Sequence, residues 1–419
     1  MARITAATLR DMKVIGLVSF GHMMSHFYFL ILPPILLLLK DEFRTNYTTL
    51  GLLMTAFAVA GGLAQTPVGF LVDRIGGRRV LLWGLLMEGA CIAAIGFTAE
   101  LWQMFALYTL AGAFNAVFHP ADYAIISASV ARERLGRAFS VHLFSGNLGF
   151  ALAPLTMGVM VAFWDWRTAF IATGAIGVVF ALYLWMLGGL FDDDLARGRA
   201  RKAAGKAAGE AGRDKAGLAL LFSFPILMCL LFFIMMTLGF TGLRAFMVTA
   251  LNVMFETPLG VGTAALTSFL LFSSLGILAG GVLADRIGPR VSTAVATLVS
   301  AGALVLAIGA VPMGATLLIL VSGASGFLQG LLMPTRDLLI REVTPDGSMG
   351  KVIGFLSTGM MAASGVVPAL FGWLIDRGAA DYVFWLSAVF VIGSLLSFVS
   401  VRGRAPPRTG IRPGGGPGA

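Results

Sequence analysis

Two cysteines are all that this chain of 419 residues contains. Cys91 and Cys229 both lie inside apolar runs, so a disulfide framework is excluded and each reads as a small apolar side chain. Charge is also scarce. Asp, Glu, Lys and Arg together make up 12% of the residues against 58% hydrophobic ones, more apolar surface than a soluble domain can hide. Acidic residues number 21 against 30 basic ones, a formal net charge of +9. The basic residues gather in alternate connections between apolar runs, which marks one side of a membrane rather than a nucleic-acid surface. Nothing matches G-x-x-x-x-G-K-[ST], so ATP drive has no support. No nucleophile is paired with a base, no metal-ligand set is legible, and no cofactor is expected.

What the chain does have is apolar runs. A span needs roughly 20 apolar residues. Twelve fit, at about 13–39, 48–72, 79–98, 102–129, 137–162, 168–190, 219–249, 259–284, 291–311, 315–340, 350–375 and 382–401. Arg3, Arg10 and Lys13 precede the first run without a small-residue cleavage site, which predicts a retained span. The expected fold is an all-α polytopic membrane protein of twelve transmembrane helices in two pseudo-symmetric six-helix halves. The first half covers 1–190 and the second 218–401. A basic cytoplasmic linker, 191–217, joins them, and a Pro- and Gly-rich disordered tail follows over 402–419. An even number of spans puts both termini on one side, and the basic connections make that side cytoplasmic.

The halves repeat. Gly69, Asp73, Arg74, Gly76 and Arg78, followed by Arg79, form a charged turn between spans 2 and 3. Gly281, Asp285, Arg286, Gly288 and Arg290 restate it between spans 8 and 9. A second register carries Pro120, Gly136, Pro154 and Gly158 onto Pro334, Gly350, Pro368 and Gly372, which aligns spans 4–5 with spans 10–11. Gly69 is expected to let two helices approach closely, and Asp73 to cap the next helix or pair with an arginine. The doubled turn resembles the loop between helices 2 and 3 of the major facilitator superfamily. The resemblance covers nearly the whole chain. It implies alternating access by two halves around a site near mid-membrane, with the turns as gating loops.

Ionisable groups inside spans are costly and are candidates for function. His22 and His26, spaced i, i+4, share a face of span 1. They carry protons in the cavity or are packed, hydrogen-bonded histidines; a metal would need further ligands, and none is evident in the spacing. His119 and Asp122 share a face of span 4, and His142 on span 5 lies at a similar depth, which suits proton coupling. A structural polar cluster is the alternative. Gly21 and His26 have the spacing of Gly239 and Arg244, which relates His26 to Arg244. Arg244 holds an anionic group or snorkels to the membrane edge. Arg336 on span 10 is the symmetry counterpart of Asp122. The two are placed to meet as an inner gate; otherwise Arg336 pairs locally or holds substrate. Asp337 is expected to point away from Arg336 and reach Arg341. Glu88 stands alone on span 3.

Phe118-His119-Pro120, with Ser145-Gly146-Asn147-Leu148-Gly149 and Pro154, resembles the fosmidomycin-resistance branch of the superfamily, which exports drugs against protons. Ala153 departs from that branch, where a glycine precedes the proline. The expected function is proton-coupled secondary transport of a small solute across a bacterial inner membrane by a monomer. Export of an amphiphilic or anionic compound competes with uptake of an organic anion. A solute sensor on the same fold is a further alternative.

Overall fold

A computed structural model describes residues 6–187, 190–191, 218–287, 291–345 and 348–402. The linker beyond Phe191 and the tail beyond Arg402 lie outside the described residues. So do Gly288, Arg290 and the side chain of Asp285.

Most of the described residues are helical. The first half comprises α1 (Ala6–Phe29), α2 (Leu36–Glu42), α3 (Tyr47–Ile75), α4 (Gly77–Ile95), α5 (Leu101–Asn115), α6 (Phe118–Ser129), α7 (Leu135–Phe163) and α8 (Trp166–Met186). The second half comprises α9 (Phe224–Phe255), α10 (Leu259–Ile287), α11 (Val291–Ala310), α12 (Ala315–Val343), α13 (Met349–Asp376) and α14 (Tyr382–Arg402). Eleven stretches are long and apolar enough to cross a membrane. Helix α4 is the twelfth; its 19 residues carry three charges, Arg78, Arg79 and Glu88. Large apolar side chains such as Leu63 and Leu396 stand on the outer surface, where a bilayer would cover them.

Two expected spans are broken. Pro33 and Pro34 open a short 3-10 turn between α1 and α2. Span 4 divides into α5 and α6 at Ala116-Val117, because Pro120 has no N–H for the Ala116 carbonyl and its ring crowds that carbonyl. The symmetry mate Pro334 sits inside an unbroken α12.

Packing follows the repeat. In the first half α1 packs on α7, α3 on α5, and α4 on α8; in the second half α9 packs on α13, α10 on α12, and α11 on α14. The halves meet where α3 lies against α13 and α7 against α10. At the end remote from the basic turns, the α3–α13 contact is tight. Asp376 accepts hydrogen bonds from the Tyr47 N–H (2.9 Å), the Thr48 N–H (2.8 Å) and the Thr48 hydroxyl (2.6 Å). A side chain at Gly51 would collide with the Pro368 carbonyl, and one at Gly372 with the Tyr47 carbonyl.

A Cβ added at Gly69, Gly136, Gly281 or Gly354 would meet nothing within 4 Å. The close approach expected at Gly69 is therefore not formed in this conformation. Nor does Asp73 cap α4. It lies within α3, and the turn is made by Gly76, whose φ of 94° suits glycine. Arg78 reaches the Trp185 carbonyl at 3.5 Å, tying the turn to α8.

Candidate functional site

Sequence spacing places one histidine pair on α1, a histidine and an aspartate on α6, and one histidine on α7. The fold brings them together. The chain has four histidines, and all four lie in this cluster. The His22 and His142 rings stack with centroids 3.8 Å apart, and His119 stands edge-on to His22 at 5.1 Å. Asp122 Oδ2 is 3.5 Å from His22 Nδ1 and 3.9 Å from His142 Nε2. His22, Asp122 and His142 are buried, whereas His119 is exposed. Both Asp122 carboxylate oxygens, His22 Nδ1 and both His142 ring nitrogens lack hydrogen-bond partners. Buried polar atoms are rarely left this way without a reason.

The close fit of α1 on α7 builds the cluster. A side chain at Gly146 would lie 2.7 Å from His22 Nε2, and one at Gly149 would strike the Met23 carbonyl. The glycine-rich face of α7 is what lets the imidazoles of α1 approach the α6 carboxylate.

A cavity of about 280 Å³ lies between the halves. Phe29, Met54, Phe57 and Phe150 line it from the first half; Phe233, Phe240, Arg244, Gln329 and Arg336 line it from the second. Arg244 therefore faces the cavity and does not snorkel to an edge. Its guanidinium stands 5.2 Å from the Phe150 ring centre, and the same ring lies 4.3 Å from His26. The related positions His26 and Arg244 thus meet at one phenylalanine, which links the histidine cluster to the cavity.

Other sequence expectations change. Arg336 does not pair with Asp122 in this conformation. Its guanidinium bonds Asp337 at 2.8 Å and covers the Phe233 ring at 4.5 Å, while Asp122 faces His22 and His142 inside its own half. Adjacent residues point apart at Cβ, but the long arginine side chain bends back to its exposed neighbour, so Asp337 joins Arg336. Asn147 donates to the Leu143 carbonyl of its own helix (3.0 Å). Glu88 does not stand alone: Asn115 donates to it (2.7 Å) and to the Ser25 carbonyl (3.0 Å), next to the histidines of α1.

Sequence reasoning passed over Gln329, a buried amide whose Oε1 has no partner on the cavity wall. A single amide between Gly326 and Gly330 in an apolar run was a signal of it. It also passed over Asn115, which only the fold sets beside Glu88.

The sequence model of the Major Facilitator Superfamily matches residues 18–265 and 241–418. The chain belongs to the Major Facilitator Superfamily. It is a membrane transporter-family protein and not an enzyme. It is 27% identical over 36% of its length to the "probable L-galactonate transporter" of Escherichia coli strain K12, of which the match covers 33%. It is 27% identical over 37% of its length to multidrug resistance protein MdtG of Salmonella heidelberg strain SL476, of which 39% is covered. It is also 27% identical over 33% of its length to the membrane sensor protein UhpC of E. coli strain K12, of which 32% is covered. The chain thus matches between 32% and 39% of these relatives' lengths. A bacterial homologue of the human lysosomal transporter Spinster, solved in an inward-facing, unoccupied conformation, superposes with a TM-score of 0.72 at 14% identity. That superposition covers 94% of this chain and 96% of the other.

Proposed function

We propose that this protein is a secondary active transporter that exports an amphiphilic or anionic solute in exchange for protons. The observation that carries the proposal is a cavity shared by both halves, with Arg244 and Arg336 on its wall and a buried His–Asp cluster one ring away. Guanidinium groups suit a carboxylate or phosphonate, and the Phe and Met side chains suit an apolar body. A carboxylate among imidazoles suits proton exchange. His22, His26, His119, Asp122 and His142 carry the protons in this reading, and Arg244, Arg336 and Gln329 hold the solute. With the basic turns cytoplasmic, as the positive-inside rule has it, both termini are cytoplasmic and the sealed end is the outer one. The conformation then faces the cytoplasm of a bacterium, from the inner membrane. The protein works as a monomer, since each copy encloses its own cavity.

The resemblance of the α6–α7 stretch to the fosmidomycin-resistance branch favours export, and the relation to MdtG points the same way. The two cavity arginines favour a second reading, proton-coupled uptake of an organic anion, for which the L-galactonate relative is the parallel. The relation to UhpC keeps the sensor in view. Reconstitution into liposomes tests all three. Under an imposed pH gradient, anionic and amphiphilic solutes are expected to move against their own gradient, with protons moving opposite for export and alongside for uptake. Saturable binding with no flux in either direction would make the protein a sensor.

A further inference from the structure

The histidine cluster offers more than a proton site. His22, His119 and His142 each present a ring nitrogen within 4.8 Å of the other two. The carboxylate of Asp122 stands beside two of them, with both oxygens unpartnered. We propose that these four side chains form a binding site for a divalent transition-metal ion of borderline softness, such as Zn2+ or Co2+.

The donor set argues for that class. Three imidazoles and one carboxylate suit Zn2+, Co2+ or Ni2+; the hard ions Mg2+ and Ca2+ would call for more oxygen ligands. In a tetrahedral site with metal–nitrogen bonds of about 2.0–2.1 Å, neighbouring donors lie about 3.4 Å apart. His22 Nδ1 and Asp122 Oδ2, at 3.5 Å, are at that spacing already. His142 Nε2 is 3.9 Å from the same oxygen, but its ring is stacked on His22, so the two imidazoles must turn out of that stack to converge on one ion. Three of the ligands are buried, with 1%, 0% and 0% of the side chains of His22, Asp122 and His142 exposed. The fourth, His119, is exposed.

The unpartnered atoms are the independent observation. A buried imidazole with both nitrogens unbonded, as at His142, and a buried carboxylate with both oxygens unbonded leave unsatisfied ligand atoms within 3.9 Å of each other. His26 is placed differently: its ring meets Phe150, and it is not one of the three histidines whose ring nitrogens converge, so it borders the site without completing it. Arg244 reaches the same Phe150 ring, and its charge weakens cation binding without filling the site. All four ligands come from α1, α6 and α7 of the first half, so occupancy does not require the two halves to close. Metal and protons compete for the same nitrogens and oxygens. The site shares its residues with the proton-coupling reading, but equilibrium metal binding does not depend on transport.

The test is titration of the purified, tag-free protein in detergent with Zn2+ by calorimetry and with Co2+ by visible absorption. One equivalent is expected to bind near neutral pH, with the intense bands of four-coordinate Co2+, and more weakly as pH falls. His119→Ala and His142→Ala should each weaken binding at least tenfold, as should Asp122→Asn. Each variant is checked for an unchanged melting midpoint without metal. Should a buried variant fail to fold, His119→Ala carries the test, because its side chain is exposed. No saturable binding by the wild type would overturn the site, as would affinity unchanged in His119→Ala. Metal binding without proton-coupled flux would leave the site standing and remove the coupling reading; coupled flux without metal binding would do the reverse.

Discussion

The two halves repeat each other's helix pairing yet handle polar groups in opposite ways. The first half folds its ionisable groups inward. His22, Asp122 and His142 lie inside it, between α1, α6 and α7, and Glu88 is buried against Asn115. The second half turns its groups outward. Arg244 and Arg336, related to His26 and Asp122, stand on the cavity wall, and Arg336 is neutralised by exposed Asp337. The symmetry-equivalent prolines differ likewise: Pro120 breaks span 4, whereas Pro334 sits within a continuous α12. On the proposed reading, the duplicated scaffold divides labour, one half holding protons or a metal and the other solute. The difference lies partly in which side chains occupy equivalent positions and partly in packing, since α9 packs closely on α14 whereas α1 barely touches α8.

The largest expected effect tests that division at Asp122 and Arg336. Asp122→Asn should abolish gradient-driven accumulation in proteoliposomes while leaving downhill exchange. Arg336→Ala should keep coupling and raise KM for an anionic solute about ten- to a hundredfold, the loss of a charge-assisted contact worth roughly 1.5–3 kcal/mol. If Arg336→Ala uncouples while Asp122→Asn only raises KM, the assignment of the halves is reversed.

The next effect concerns the packing that makes the first half's cluster. Gly146→Val should drive a methyl group into the His22 ring and destabilise the protein by about 1–3 kcal/mol, read as a lower melting midpoint in detergent. Gly136→Ala, with open space around it, is the matched control and should leave the midpoint nearly unchanged. Equal shifts in the two variants would mean that the α1–α7 contact is not close-packed.

Between the halves, Asp376→Ala removes the acceptor for three hydrogen bonds from Tyr47 and Thr48. A loss of about 1–3 kcal/mol from the sealed end should raise the population open there by roughly five- to a hundredfold. Thiol labelling of a cysteine introduced on the far cavity wall, in a background lacking Cys91 and Cys229, measures it. Unchanged labelling would place the seal elsewhere, for instance where α7 meets α10.

The smallest effect is local. Asp165 caps α8, accepting from the Thr168 N–H at 2.6 Å, and that bond holds its carboxyl below the usual carboxylate range. At the start of α12 the cap position is Gly314, which has no side chain to offer. Asp165→Ala should cost about 1 kcal/mol at neutral pH. Because the folded-state value is depressed, this contribution is present above the unfolded carboxylate range and is lost as pH falls through the lower folded value. The variant should therefore match the wild type in strong acid and fall behind it near neutrality. A constant gap across that range would show that the charge at Asp165 contributes nothing.

The sequence by itself determined the twelve-span class, the twofold repeat and the basic side of the chain. These rest on hydropathy, on local spacing and on where charge can stay in water, and each can be read along one dimension. It also placed His119, Asp122 and His142 at one depth, because antiparallel neighbours joined by a short turn conserve depth. Tertiary structure alone decided the rest. It set the α1 histidines against that group, because only the face-to-face packing of α1 on the glycines of α7 fixes which side of α1 points inward. It gave Arg336 to Asp337 and not to Asp122, because a long side chain on a cavity wall takes the carboxylate within reach. It joined Asp376 of α13 to the Tyr47 and Thr48 backbone of α3, because only the docking of the two halves brings residues more than three hundred positions apart into contact. Spacing along a helix fixes a face, but its partner is chosen by the docking of whole helices, through contacts far apart in sequence.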